Sequence, residues 1–182
     1  RHLSAWIRQY GGKPVIWKTG HSLMKAKIRE TGAAMGGELS GHLFFNDAKA
    51  GKPRWFGFDD GLYSAARLLE IVSRAPDASA VLDALPDSVN TPELQIAMQE
   101  GEPHALIASL QQSVQFPDAT DIITIDGLRV EYADGFGLIR ASNTTPVLTL
   151  RFEADDFSAL TRIQQAFRQL LNRARPDLKI PF

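Results

Sequence analysis

The sequence predicts an α/β domain on a mixed sheet, cut short at its front, followed by a small α+β domain. The second domain is expected to hold a four-stranded, mainly antiparallel sheet with helices on one face. Three observations carry this reading. Helix and strand signals alternate through roughly the first 78 residues, three strand-like runs then follow one another from Ile122 without an intervening helix, and Pro76 and Pro86 bracket a change of composition between the two regimes. The expected boundaries are residues 1–78 for the first domain, 79–86 for a hinge and 87–182 for the second. A small domain behind a proline-bounded hinge could close as a rigid body.

The chain opens on a helical pattern, with Leu3, Trp6, Ile7 and Tyr10 on one face. A sequence that begins inside a structural element, without Met or a signal-peptide core, reads as part of a longer protein. Gly11-Gly12 ends the pattern, and Val15-Ile16-Trp17 reads as a short buried strand. Leu23, Met24 and Ile28 suit a helix over Ser22–Glu30, stopped by Gly32. Ala33–Met35 and His42–Phe45 bracket a glycine-rich turn, and Lys49–Lys52 reads as an exposed loop. Asp59 or Asp60 can cap a helix whose inner face is Leu62, Ala65, Ala66, Leu69 and Val72. A short helical stretch fills the Pro76–Pro86 interval. Beyond it come a helix near Pro103–Ser113 and strands at Ile122–Ile125, Leu128–Tyr132, Phe136–Arg140 and Val147–Phe152. The last element is an amphipathic helix from Phe157 to about Arg173, with Leu160, Ile163, Phe167, Leu170 and Leu171 inward.

With 182 residues, 44% of them hydrophobic, the chain can bury one or two cores. A formal net charge of −1 gives no general attraction to nucleic acid or to acidic membranes. No apolar run approaches the roughly 20 residues that span a bilayer. The absence of cysteine excludes disulfides and thiolate metal sites, and is compatible with the cytoplasm. Nucleotide-binding, serine-hydrolase and zinc-protease motifs are absent, and the aspartates are scattered without metal-ligand spacing.

Two segments hold more polar, turn-forming residues than folding requires. In Gly36-Gly37-Glu38-Leu39-Ser40-Gly41-His42, glycines permit positive φ, so Glu38 and Ser40 can project from one rim and each bond one of two neighbouring sugar hydroxyls. A plain hairpin turn with Glu38 solvated fits the same spacing. In Arg140-Ala141-Ser142-Asn143-Thr144-Thr145-Pro146, a guanidinium stands beside three hydroxyls, an amide and backbone donors, with no competing carboxylate. That inventory suits a phosphate dianion, and a turn whose hydroxyls satisfy their own backbone is the alternative. His21, opening a helix after Lys18-Thr19-Gly20, could meet a phosphate or a ring hydroxyl. His2 and His104 have no partner in the sequence, and Asp59-Asp60 reads as capping rather than metal-binding.

Four runs together resemble a known family. Trp17-Lys18-Thr19-Gly20-His21-Ser22, Gly37-Glu38-Leu39-Ser40-Gly41-His42 and Arg54-Trp55-Phe56-Gly57-Phe58-Asp59-Asp60-Gly61 are similar to the third domain of bacterial phosphomannomutase/phosphoglucomutase, an α-D-phosphohexomutase. Arg140-Ala141-Ser142-Asn143-Thr144-Thr145-Pro146 resembles the phosphate loop of the fourth. The resemblance covers nearly the whole chain, in order. It implies an enzyme that interconverts hexose 1-phosphate and hexose 6-phosphate through a phosphoserine and a hexose 1,6-bisphosphate intermediate. It also implies Mg2+ held by an acidic loop on another domain.

By position, the resemblance implies that Glu38 and Ser40 bind the sugar 3- and 4-hydroxyls, with Leu39, Gly41 and His42 completing the loop and His21 nearby. Arg140, Ala141, Ser142, Asn143 and Thr144 would hold the distal phosphate. A grip on hydroxyls 3 and 4 need not sense carbon 2, where glucose and mannose differ, so dual specificity follows. Neither the phosphoserine loop nor the magnesium loop occurs in this sequence. The expected partners are hexose phosphates and the N-terminal domains of the same protein, the expected state is a monomer, and the chain alone is expected to be inactive. Phosphoglucosamine mutase is a related reading, mildly disfavoured because its sugar loop usually has Gln where this chain has Leu39. A non-catalytic sugar-phosphate module is the third.

Overall fold

A computed structural model describes residues 1–49, 51–113 and 115–182. In chain order the elements are α1 (His2–Gln9), α2 (His21–Thr31), β1 (Met35–Gly37), β2 (Leu43–Phe45), β3 (Ala48–Lys49), β4 (Lys52–Pro53), α3 (Gly61–Val72), α4 (Ala78–Asp83), β5 (Val89–Asn90), β6 (Leu94–Ala97), α5 (Glu102–Gln112), β7 (Asp121–Ile123), β8 (Leu128–Tyr132), β9 (Gly135–Ala141), β10 (Val147–Ala154) and α6 (Phe157–Ala174). They form two compact units, residues 15–86 and residues 87–182 together with 1–14. The segment 79–86 lies within the unit of residues 15–86, partly in α4, and residues 1–14, expected in the same domain as that unit, group with 87–182. Among the described residues no helix is long and apolar enough to cross a membrane.

In the unit of residues 15–86, α2 ends as its sequence directs, at Gly32 in the left-handed conformation with φ 67°. The β1–β2 hairpin pairs Met35 with Phe45 and Gly37 with Leu43. A Cβ on Gly36 would come within 2.9 Å of Met24 and 3.0 Å of Ile28, so β1 lies flush on α2 because this residue has no side chain. Ile28 and Phe44 are buried there, Phe44 completely. Helix α3 is capped by Asp60, whose carboxylate accepts from the Tyr63 amide at 2.7 Å.

Three expectations fail in this unit. Val15–Trp17 is not a strand: among the described residues no strand pairs with it, and Val15 and Ile16 are exposed. Most of the α3 face read as inner is exposed as well, Leu62 at 85% and Leu69 at 66% together with Ala65 and Ala66, while Val72 is half-buried. Among the described residues the sheets of this unit are two two-stranded ribbons, which offer α3 no broad apolar layer. What α3 turns inward is the set Tyr63, Arg67 and Glu70. Tyr63 stacks on Trp55 at 4.4 Å between ring centroids and donates its hydroxyl to Asp47 at 2.7 Å. Glu70 takes Arg54 at 3.2 Å and also pairs with Arg67 and Arg74. These guanidiniums, Arg54 first, hold the Glu70 carboxyl below its ordinary value against desolvation. Lys49 and Lys52, expected in an exposed loop, instead pair with each other at the ends of β3 and β4, and Ala50 between them lies outside the described residues.

The other unit carries the expected antiparallel sheet, in the order β5-β10-β9-β8-β7 with β6 also on β10. Two short strands that the sequence did not signal, β5 and β6, share one edge of β10: Leu94 sits opposite Leu150, and Asn90 opposite Glu153. Buried Thr91 fills the interval between them. Its amide donates to the Phe152 carbonyl at 3.0 Å, and its hydroxyl accepts from the Phe152 amide at 3.2 Å. Strict alternation along Leu128, Val130 and Tyr132 buries one face of β8. Leu106, Ile107 and Leu110 of α5 and Leu160, Ile163, Phe167 and Leu171 of α6 join the same core. Arg1, just before α1, pairs with Asp155 at the far end of β10.

Gly137 of β9 allows α6 its close approach, since a Cβ there would lie 2.4 Å from a ring carbon of fully buried Phe167. Gly137→Ala is therefore expected to destabilise this unit by about 1–3 kcal/mol in urea unfolding, as overpacking of a fixed aromatic does. An unchanged midpoint would show that the helix can shift freely.

Candidate functional site

The loop between β1 and β2 is closed by two main-chain bonds, the Glu38 amide to the His42 carbonyl and the Gly41 amide to the Glu38 carbonyl, both 3.0 Å. Gly41 makes the turn at φ 88°, where an L side chain would be strained. The loop does not hang free. Glu38 Oε1 accepts from the Gly20 amide at 2.7 Å, and Gly20 is the residue capping α2. A carboxylate at that helix end meets an orphan donor and the positive end of the helix dipole together. Ser40 Oγ lies 3.4 Å from the other Glu38 oxygen, Oε2.

The same bond brings His21, the first residue of α2, beside the loop. His21 is exposed, with Ser22 Oγ 3.4 Å from its Nδ1. Leu39, at 70% exposure, and Ser40 stand out from the turn. Of the expected sugar-loop residues, His21, Glu38, Leu39, Ser40, Gly41 and His42 thus lie around one end of α2.

His42 has a partner that the sequence alone does not assign. Its Nδ1 is 3.0 Å from Asp59 Oδ2. Of the Asp59-Asp60 doublet, only Asp60 caps α3, and Asp59 faces the loop instead. Asp59 bonds to its own backbone amide, and this, with the His42 bond behind it, holds its carboxyl below the ordinary value against desolvation. The doublet leaves one carboxylate to spare, since one suffices for a cap, but does not say what it meets.

In the other unit, Arg140 is the penultimate residue of β9, and Ala141, which ends the strand, is buried. Thr149 of β10 is the register partner of Arg140. Arg140 is half-buried, and one guanidinium nitrogen reaches the Ala141 carbonyl at 3.4 Å. The turn that follows folds about Ser142 Oγ. The Thr144 and Thr145 amides both approach that oxygen at 3.4 Å, with Thr145 Oγ1 at 3.1 Å and Thr144 Oγ1 at 3.5 Å. Asn143, Thr144 and Thr145 are exposed. Most of these contacts are at the long limit for hydrogen bonds, so the amides and hydroxyls are weakly engaged among themselves. A site of this kind offers a guanidinium and several N–H and O–H donors to one small anion.

Replacing Glu38 separates its anchoring from any contact with a ligand. Glu38→Ala is expected to raise hydrogen exchange at the Gly20 amide and to cost about 1 kcal/mol in the unfolding of this unit. Glu38→Gln, which keeps an acceptor oxygen, should retain most of the protection. Equal exchange in the wild type and Glu38→Ala would refute the anchor.

The comparisons with known proteins agree with this layout. Residues 1–89 match the family described as phosphoglucomutase/phosphomannomutase, alpha/beta/alpha domain III, and residues 93–170 match its C-terminal domain. Over 182 residues the chain is 55% identical to a phosphoglucomutase of Neisseria gonorrhoeae, and over 183 residues 52% identical to a phosphomannomutase/phosphoglucomutase of Pseudomonas aeruginosa. All of this chain is covered in both alignments, and it spans 38% of the length of each relative. A crystal structure of a phosphoglucomutase/phosphomannomutase family protein from Burkholderia thailandensis superposes with a TM-score of 0.90 at 55% identity, covering all of this chain and 37% of that one. Two successive domains of one family, matched in order along a single chain, establish that this protein belongs to the phosphoglucomutase/phosphomannomutase family.

Proposed function

We propose that the chain is the sugar- and phosphate-gripping part of a phosphohexomutase that interconverts hexose 1-phosphate and hexose 6-phosphate. The single observation that carries this reading is the 2.7 Å bond from the Gly20 amide to Glu38, which holds Glu38, Ser40, His42 and His21 around one helix end. Relatives named both phosphoglucomutase and phosphomannomutase support the choice of hexose. Glu38 and Ser40 take the 3- and 4-hydroxyls, with Leu39, Gly41 and His42 shaping the loop and His21 close to the sugar. Arg140, Ala141, Ser142, Asn143 and Thr144 take the phosphate that is not being transferred. Because the sugar grip avoids carbon 2, glucose and mannose phosphates are both accepted.

The remaining chemistry lies outside these residues. Among the described residues no three His, Asp or Glu side chains gather where they could hold a metal ion. We assign the magnesium ion and the phosphoserine to other domains of a longer, cytoplasmic protein, in keeping with relatives more than twice this length. In that protein the phosphoserine gives its phosphoryl group to the substrate, forming hexose 1,6-bisphosphate, and recovers the other phosphate after the intermediate reorients. The 182-residue chain alone accordingly has no mutase turnover.

Amide NMR titration of the chain with millimolar glucose 1-phosphate tests the reading. Shifts are expected around Glu38 and around Arg140. Arg140→Ala should abolish the second set and weaken binding by about 10- to 100-fold, the worth of a charged hydrogen-bond partner. Shifts confined to other surfaces, or turnover by the pure chain, would overturn it.

A further inference from the structure

We propose that Asp59 is a positioning residue that fixes the tautomer and aim of the His42 imidazole, leaving His42 Nε2 as an open hydrogen-bond acceptor. The first ground is geometric. Asp59 Oδ2 lies 3.0 Å from His42 Nδ1, and an ionised carboxylate can only accept, so the proton between them sits on Nδ1. In a neutral imidazole with its proton on Nδ1, Nε2 carries a lone pair and accepts.

The second ground is that the backbone sets both ends of this contact. Asp59 forms an antiparallel bridge with Phe44, which is fully buried two residues beyond His42. The Gly57 amide adds a 2.8 Å bond to the Phe45 carbonyl. On its other side, the His42 carbonyl closes the loop by accepting from the Glu38 amide at 3.0 Å. The pair is therefore a product of chain register and not a chance meeting of two surface side chains. The third ground is redundancy, because Asp60 alone already caps α3 and Asp59 has no such duty.

The consequence is chemical selectivity at the loop. In its neutral form the ring presents an accepting Nε2 on the same loop as the Glu38 carboxylate, giving a set of acceptors with one hydroxyl, Ser40, that can also donate. Such a set suits the O–H groups of a polyol and disfavours a phosphate dianion, whose oxygens need donors. This assignment to a sugar hydroxyl rests on the function proposed above, whereas the tautomer does not.

The test reads the ring directly. Long-range 1H–15N correlation spectra of the full 182-residue chain at about pH 8, above the ordinary imidazole range, separate protonated from unprotonated ring nitrogens. The wild type is expected to show His42 with a protonated Nδ1 and a bare Nε2. Asp59→Ala should lose that separation, and the Tyr63 amide resonance, reporting the Asp60 cap, should stay in place and certify the fold. An Nε2–H tautomer in the wild type, or an unchanged Nδ1–H tautomer in Asp59→Ala, would overturn the proposal. Adding glucose 1-phosphate to both proteins keeps the two readings apart. A fixed tautomer with no ligand response removes the sugar assignment and supports the role of Asp59. A ligand response with an Asp59-independent tautomer removes that role and leaves the sugar loop.

Discussion

The unit that bears Arg140 depends on the pairing of β10. This strand is hydrogen-bonded along one edge to β9 over its last seven residues and is shared on the other by β6 and β5. Its inward side chains, Leu148, Leu150 and Phe152, are fully buried in the core shared with α5 and α6. A slip of one residue in this register would turn that set outward, so burial fixes the pairing. The same register sets Arg140 opposite Thr149 and lets the loop that follows leave the sheet with its donors exposed. Placement of the guanidinium is thus a consequence of apolar packing several residues away.

In the other unit the ordering principle is polar. Its apolar core is small, and the hairpins and helices are joined by carboxylates that each serve a named donor: Glu38 the Gly20 amide, Asp47 the Tyr63 hydroxyl, Asp59 the His42 ring, Asp60 the Tyr63 amide and Glu70 three arginines. Partly exposed ion pairs contribute little each to stability. What they contribute here is geometry, because a network with several shared members has few alternative arrangements.

Much of this was legible in the sequence. The α6 stripe of Leu160, Ile163, Phe167 and Leu171, the alternation in β8, the Gly32 stop and the two polar loops all follow from local chemistry that the fold obeys. The failures share one cause. Periodicity tells which residues of α3 are apolar, but not whether a sheet lies over them, and Leu62 and Leu69 stand exposed. Val15–Trp17 has the composition of a strand, yet a strand exists only through a neighbour, and none pairs with it among the described residues. Asp59 was hidden for the complementary reason. Its contact with His42 spans 17 positions, and no local rule reports a partner at that distance.

Glu38 spends one carboxylate oxygen on the Gly20 amide. A side chain so tethered cannot swing through its usual rotamers, and much of the conformational entropy that a carboxylate loses on gripping a ligand has already been lost during folding. The loop is in this sense preorganised: the unit has met the ordering cost in advance, and under the proposed function a sugar would meet Oε2 and Ser40 with little further loss. The corollary is intolerance. Under that function, a molecule whose hydroxyls are displaced by a fraction of an ångström would meet a carboxylate that cannot follow it, and discrimination by shape would come from the anchor.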